Sequence, residues 1–357
     1  MDVDGDGLSD LVNLFQSVKS KKVKNFAESW ISQGDGSFQD DRQEKSVVSF
    51  GEYDVDEKSH FQQRYMPMDV DGDGLSDLVH IYQCRTKKQK TCASISISQG
   101  DGTFQRLIRN PYVGNWSDVD ASDARSYLPM DVNADGLSDL VEIAKCSRDG
   151  KDKTCAASWI SKGNRFSRYI KDEQEASTVG AWSDVNASDA RRYLPMDVNA
   201  DGLSDLVEIA KCSRDGKDKT CAASWISKGD GRFSRYIDDE QEASTVGVWS
   251  DVDAPNARRY LTIDVNGDSL PDLVEIAKCF RDGKDKTCAA SYISKGDGSF
   301  IRYISDEQIA SDVGGWSNVN ADDARRYLPM DVNGDGLSDL VELYKGKLRV
   351  RSFGKST

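Results

Sequence analysis

Histidine is almost missing from this chain of 357 residues: there are two, His60 and His80, both in one stretch. Neither is accompanied by a repeated Ser or Cys nucleophile, so nucleophile–base catalysis has little to build on and no enzyme is expected. Long apolar runs are missing as well. None approaches the roughly 18–20 residues that a membrane-spanning helix needs, so no membrane insertion is expected. Basic residues are in deficit, 47 Lys and Arg against 61 Asp and Glu, for a formal net charge of -14. Binding to a phosphate backbone relies on Lys and Arg neutralising phosphates, so no nucleic-acid partner is expected. There is no visible signal peptide. Met1 stands where later repeats have Met68, Met130, Met196 and Met330, so the chain opens in mid-repeat and a missing leader says nothing about export.

What is present is a repeat. The pattern D-V-[DN]-x-D-[GS]-[LS]-x-D recurs with its first Asp at Asp2, Asp69, Asp131, Asp197, Asp264 and Asp331, at intervals of 67, 62, 66, 67 and 67 residues. Residues 131–163 and 197–229 are identical over 33 positions, the mark of a duplication. The units run 2–68, 69–130, 131–196, 197–263, 264–330 and a partial 331–357, in one domain. Within a unit, apolar runs such as Leu206–Cys212 and Cys221–Ser227 are five to seven residues long and separated by Gly, Asp and Ser turns. That is a strand signature, since a helix would need about 10–12 periodic residues. Pro67, Pro129, Pro195 and Pro329 directly before the loop also disfavour a helix there. Each unit reads as about four antiparallel strands. The expected fold is all-β, a β-propeller of six four-stranded blades, or of seven if a blade lies outside the chain. A linear solenoid is the competing architecture.

The acidic loop carries the chemistry. Carboxylates or amides stand at positions 1, 3, 5 and 9, and a leucine at position 7 can offer its carbonyl. The first two sets are Asp2, Asp4, Asp6, Leu8 and Asp10, then Asp69, Asp71, Asp73, Leu75 and Asp77. The next two are Asp131, Asn133, Asp135, Leu137 and Asp139, then Asp197, Asn199, Asp201, Leu203 and Asp205. The last two are Asp264, Asn266, Asp268, Leu270 and Asp272, then Asp331, Asn333, Asp335, Leu337 and Asp339. Ca2+ takes six to eight oxygen ligands in flexible geometry, and the Gly at position 6 allows the loop to wind around one point. One Ca2+ per repeat is expected, up to six ions, which would bring the formal charge from -14 to -2. Mg2+ demands a stricter octahedron, and zinc would call for Cys or His. The fifth loop departs from the rest, with Ser269 for the Gly and Pro271 before Asp272. An EF-hand would place Glu at position 12, where Glu142, Glu208, Glu275 and Glu342 stand, but the first two loops have Asn13 and His80 there. These Glu residues are expected to face solvent from a strand.

The loop, the strand after it and the turn S-x-G-D-G-[ST]-F (Ser32–Phe38, Ser98–Phe104, Ser294–Phe300) resemble the FG-GAP/VCBS repeat family over nearly the whole chain. That family includes the propeller of integrin α-chains and related repeats in fungal lectins and in bacterial toxin and adhesion proteins. The resemblance implies blades of roughly 60 residues, with Ca2+ held between the first two strands of each.

Eight cysteines fall in four pairs: Cys84 with Cys92, Cys146 with Cys155, Cys212 with Cys221, and Cys279 with Cys288. Each pair brackets a polar turn between two strand runs, so four local disulfides are expected. The first unit has Ser17 and Phe26 at the two positions, both partners lost together. Disulfides persist in oxidising compartments, so a secreted, extracellular protein is expected, and sequons at Asn115 and Asn186 fit. A ligand surface is expected before the loops, at Trp116, Asp118 and Arg125; Trp182, Asp184 and Arg191; Trp249, Asp251 and Arg258; and Trp316 and Arg325. An aromatic face beside a carboxylate and an Arg suits a sugar ring, although the same Trp residues could wedge between blades. Trp30, Trp159 and Trp225 read as core. The function expected is therefore a multivalent carbohydrate-binding module, with glycans as partners. The alternative is an adhesion or toxin scaffold that binds a cell-surface or extracellular protein and uses calcium only structurally.

Overall fold

Strands arise where β-branched and aromatic residues alternate with small ones. In the fourth repeat, Lys217–Ser227 (KDKTCAASWIS) is exposed at its polar start and buried along most of the rest. It pairs antiparallel with Asp205–Arg214, with Leu206 opposite Trp225 and Ala210 opposite Cys221. The tight turn between the two strands is Asp215-Gly216, both at positive φ, as a two-residue hairpin requires. Tyr193–Met196 lies on the other side of Asp205–Arg214, with Tyr193 opposite Glu208. The outer strand is broken in two. Phe233–Arg235 pairs with the end of Lys217–Ser227, and Ser244–Val248 pairs with its middle across a bulge at Thr220/Cys221.

A computed structural model describes residues 1–19, 22–40, 48–54, 65–84, 90–107, 112–115, 127–168, 176–181, 193–235, 243–248, 260–303, 311–315, 327–333, 338–344 and 347–351. Among the described residues there are strands and no helix, so no helix is long and apolar enough to cross a membrane. The chain divides into two compact units. One comprises Met1–Lys145, Cys155–Ala176 and Val332–Gly334; the other comprises Cys146–Thr154, Ser177–Asp331 and Asp335–Thr357.

The sheets correct the blade count. The first five repeats give sheets of four or five antiparallel strands, whereas the sixth gives a three-stranded sheet of Tyr327–Met330, Asp339–Tyr344 and Lys347–Arg351. The fold is an all-β β-propeller type with five blades, not six or seven. The expectation failed because it counted metal loops. A loop needs only the first two strands of a sheet, while a blade also needs the hairpin strand and the broken outer strand. The sixth repeat carries the loop motif in its sequence, but its described strands include no such outer pair.

Each unit has its own apolar cores. In the first, Met66, Val70, Val79, Ile81, Ile95, Leu140 and Trp159 pack together, and Val3, Ala27, Leu78 and Phe104 form a second cluster. In the second, Val198, Val207, Ile209, Tyr260, Leu273 and Tyr292 form one cluster, and Ile263, Val274, Ile276, Val313 and Leu340 another. The valine at position 2 of the acidic loop is fully buried in four copies, Val3, Val70, Val132 and Val198 being 0 % exposed, and Val3, Val70 and Val198 belong to these cores. Burying such a side chain contributes roughly 1.5–3 kcal/mol, which ties the polar loop to the apolar interior. Trp159 and Trp225 are buried as expected, and Trp30 is half-buried.

All eight cysteines are disulfide-bonded. Cys84–Cys92, Cys212–Cys221 and Cys279–Cys288 each staple one hairpin, and Cys146 with Cys155 completes the four pairs. In the first blade, where Phe26 replaces a cysteine, its ring stacks on that of Phe15 opposite it, with centroids 5.4 Å apart.

Candidate metal centres

From the second repeat on, the acidic loop joins the first two strands of a sheet, while the first loop precedes Leu11–Lys19; its own side chains fold it. Asp2 accepts hydrogen bonds from the Gly5 and Gly7 amides at 2.7 and 3.0 Å, one on each carboxylate oxygen. Asp4 accepts from the Asp6 amide at 3.2 Å and Asp6 from the Leu8 amide at 2.8 Å. Such turns, in which a side chain caps the backbone two or three residues on, suit Asp and Asn. The second loop repeats this around Asp69, with Gly72 and Gly74 at 2.7 and 3.0 Å. In the third, fourth and fifth loops, Asn133, Asn199 and Asn266 accept from the following Asp amide at 3.0, 3.1 and 2.9 Å.

The winding requires positive φ at two positions rather than one. Gly7 at position 6 has φ of 85°, and Gly5 at position 4 has φ of 83°. Sequence reading found position 6 and missed position 4, because alanine stands there in two copies: Ala134 and Ala200 take φ of 57° and 60°. An L residue in that region carries backbone strain, of order 1 kcal/mol or more.

The aspartate at position 9 is set apart from the others. Asp10 is 1 % exposed, and Asp77, Asp139, Asp205 and Asp272 are each 0 % exposed. One oxygen of Asp10 accepts from the Val3 amide at 2.9 Å, and the other from the Ser32 amide at 2.8 Å. Asp77 does the same with Val70 and Ser98, Asp139 with Val132 and Ser161, Asp205 with Val198 and Ser227, and Asp272 with Val265 and Ser294. This carboxylate therefore clamps the start of its loop to the end of the hairpin strand. Burial pushes its carboxyl up, to about 6 in Asp10 and Asp272 and about 7 in Asp77, Asp139 and Asp205; the two amide bonds oppose the shift, and the loop's other carboxylates add to it. The serine of the clamp opens the S-x-G-D-G-[ST]-F turn in three copies (Ser32, Ser98 and Ser294), but its bond to the Asp 21 or 22 residues before it was not read from the sequence.

The arrangement fits a hard divalent cation. Oxygens of Asp2, Asp4 and Asp10 lie within 4.8 Å of one another, as do those of Asp69, Asp71 and Asp73. The neighbouring charges that act on Asp4 and Asp71 are all carboxylates; burial is the larger cause that pushes both up. Clustered like charges without a cation favour binding of one, and each carboxylate keeps acceptor capacity beyond the amides it holds. The side chains of Leu8, Leu75, Leu203 and Leu270 lie under the following Gly turn, 3.3–3.6 Å from where a Cβ on Gly34, Gly100, Gly229 or Gly296 would be. In the sixth loop Asp331, Asn333 and Asp339 are described, while Asp335 and Leu337 lie outside the described residues.

The glutamates at position 12 do not face solvent. Glu208 and Glu275 are 7 % exposed and Glu342 is 2 % exposed. The antiparallel register sets each opposite a tyrosine, and Tyr193 Oη donates to Val179 O at 2.8 Å and lies 3.4 Å from Glu208 Oε1. Gly180 is required beside them, since a Cβ there would come within 2.8 Å of that carboxylate. In the second blade His80 takes the place of the Glu and stacks on Tyr65, with centroids 4.4 Å apart.

The expected ligand surface, Trp116, Asp118, Arg125, Trp182, Asp184, Arg191, Trp249, Asp251, Arg258, Trp316 and Arg325, lies outside the described residues, as does Asn186.

No family model matches the chain, and no curated protein does. Among solved structures it is similar to the Tc holotoxin pore of Photorhabdus luminescens, at 15% identity and a TM-score of 0.39 over 98% of this chain. It spans only 17% of that toxin chain. It is also similar to an exotype rhamnogalacturonan lyase, at 10% identity and a TM-score of 0.38, covering 98% of this chain and 70% of that one. A xylan beta-1,4-xylosidase from Bacillus halodurans C-125 follows at 9% identity and a TM-score of 0.31, covering 99% of this chain and 80% of the other. Likenesses of this size carry no argument about function.

Proposed function

We propose that this chain is a secreted, calcium-loaded binding module of the FG-GAP/VCBS type, in which the ions brace the blades and the blades present a repeated ligand surface. The observation that supports the calcium reading is the convergence of Asp2, Asp4 and Asp10, and of Asp69, Asp71 and Asp73, within 4.8 Å in loops already wound by their own side chains. Position 1, 3 and 5 side chains would hold the ion together with the position 9 carboxylate, which would also hold the loop on its hairpin. Calcium supplies the positive charge that such a cluster otherwise lacks, and needs no other chemistry here. Four hairpin disulfides fit an oxidising compartment.

The ligand proposed is a glycan, taken by the Trp-Ser-Asp segments and the Arg after each. One weak site reused on several blades gains strength through repetition. A glycan array, run with calcium and with chelator, tests this with Trp182→Ala as the control. Binding lost with Trp182→Ala supports the lectin reading; absence of binding to any glycan at millimolar concentration in calcium sinks it and leaves the protein-scaffold alternative.

A further inference from the structure

We propose that neighbouring metal loops are coupled, the first and second loops each being braced by the loop that follows through a backbone hydrogen bond onto its first aspartate. The inference rests on reading the loops as calcium sites and concerns how those sites regulate one another.

The Ser76 amide, at position 8 of the second loop, donates to the backbone carbonyl of Asp2 at 2.7 Å. The Ser138 amide, at position 8 of the third loop, donates to the carbonyl of Asp69 at 2.6 Å. Both acceptors belong to the residue whose carboxylate winds its loop. Both donors adjoin the buried clamp of their own loop, Asp77 or Asp139. A second link runs in parallel. Val3 O accepts from Ser98 Oγ at 3.1 Å and from the Gly102 amide at 3.4 Å, and Val70 O accepts from Ser161 Oγ at 2.7 Å. Ser98 and Ser161 are also the residues whose amides hold Asp77 and Asp139, at 2.8 and 2.7 Å. One serine thus ties the clamp of its own loop to the backbone of the loop before. The leucines complete the contact: a Cβ on Gly5 would lie 3.2 Å from Leu75, and one on Gly72 would lie 2.7 Å from Leu137.

An ion that fixes one loop therefore fixes the donors that hold the previous loop in shape. Coupling of this kind is reciprocal: whatever the third loop does for the second, the second returns. The fifth loop breaks the pattern. Its position 8 is Pro271, which has no amide hydrogen, so it cannot make this bond to the fourth loop. There the Gly298 amide still meets Val198 O, at 3.2 Å.

The test is calorimetric titration of calcium into the full, chelator-stripped chain, comparing the parent with Ser138→Pro and Pro271→Ser. The parent is expected to fill with a Hill coefficient above 1. Ser138→Pro leaves positions 1, 3, 5, 7 and 9 of every loop untouched, yet should flatten the curve and weaken part of the uptake by about 2- to 10-fold, the scale of one hydrogen bond. Pro271→Ser restores the amide and should steepen it. A parent curve with a Hill coefficient of 1 that neither variant alters overturns the coupling and leaves the calcium sites standing. Absence of calcium uptake overturns the reading beneath it. Should Ser138→Pro fail to fold, by circular dichroism, an unchanged curve for Pro271→Ser overturns the coupling by itself.

Discussion

The second metal loop, Asp69 to Asp77, and the fifth, Asp264 to Asp272, share a frame and differ in what they offer an ion. In both, the first aspartate accepts the amide at position 6, at 3.0 Å from Gly74 and 2.8 Å from Ser269. In both, the last aspartate holds two amides, at 3.0 and 2.8 Å. The differences lie elsewhere. Asp71 becomes Asn266, which removes a charge; Gly74 becomes Ser269, held at φ of 70°; and Ser76 becomes Pro271. The clamp bonds are thus the same in both loops. Charge, backbone ease and the position 8 amide differ, and on the proposed calcium reading those differences act on the ion.

If that division holds, removing the clamp should cost the same in either loop. Asp77→Ala leaves the Val70 and Ser98 amides without their carboxylate in a buried setting, and Asp272→Ala does so for Val265 and Ser294. Each is expected to lose about 3–5 kcal/mol in urea denaturation with chelator present, at 1–3 kcal/mol for each orphaned amide. A loss below about 1 kcal/mol in either would show that water replaces the clamp.

The ligand set should separate the two loops. Asp73→Ala and Asp268→Ala each remove the position 5 oxygen. A filled site contributes about 2.7 kcal/mol when calcium stands at 100 times its dissociation constant. Asp73→Ala should cancel about that much of the calcium-induced stabilisation, and Asp268→Ala about half of it, because the fifth site carries less charge and more strain. Equal losses would mean that Asn266, Ser269 and Pro271 do not matter to the ion.

The smallest effects, of opposite sign, come from position 6. Ser269→Gly relieves a left-handed backbone and should stabilise by about 0.5–1 kcal/mol, while Gly74→Ser should destabilise by about 1–2 kcal/mol. Gly74 has open space around it, with nothing within 4 Å of a built Cβ, so sterics do not confuse the comparison. Melting curves with chelator present read both; the same sign for the two would refute the backbone account.

Much of this was legible in the residues. Short apolar runs and Gly-Asp turns marked strands, and eight paired cysteines marked hairpins, because both are local properties. The acidic loop was legible because its Asp and Asn residues recur at the same offsets in every repeat. What escaped depends on contacts distant in sequence. Glu208 looked like a solvent-facing strand residue, since only the register with Tyr193 puts it under that hydroxyl. The backbone at position 4 was hidden because Ala134 and Ala200 disguise a position otherwise held by glycine. The blade count failed because the sixth repeat carries the acidic motif, a local signal, while among the described residues its sheet has three strands and no outer pair, which only the strand pairing reveals.

The central claim is that the acidic loops are calcium sites that brace the blades. The most direct test is the melting temperature of the full chain in chelator and again in millimolar calcium at the same ionic strength. The account predicts a rise of well over 10 °C with calcium, since several filled sites each add about 2–3 kcal/mol, and a much smaller rise with magnesium. An unchanged melting temperature would contradict it.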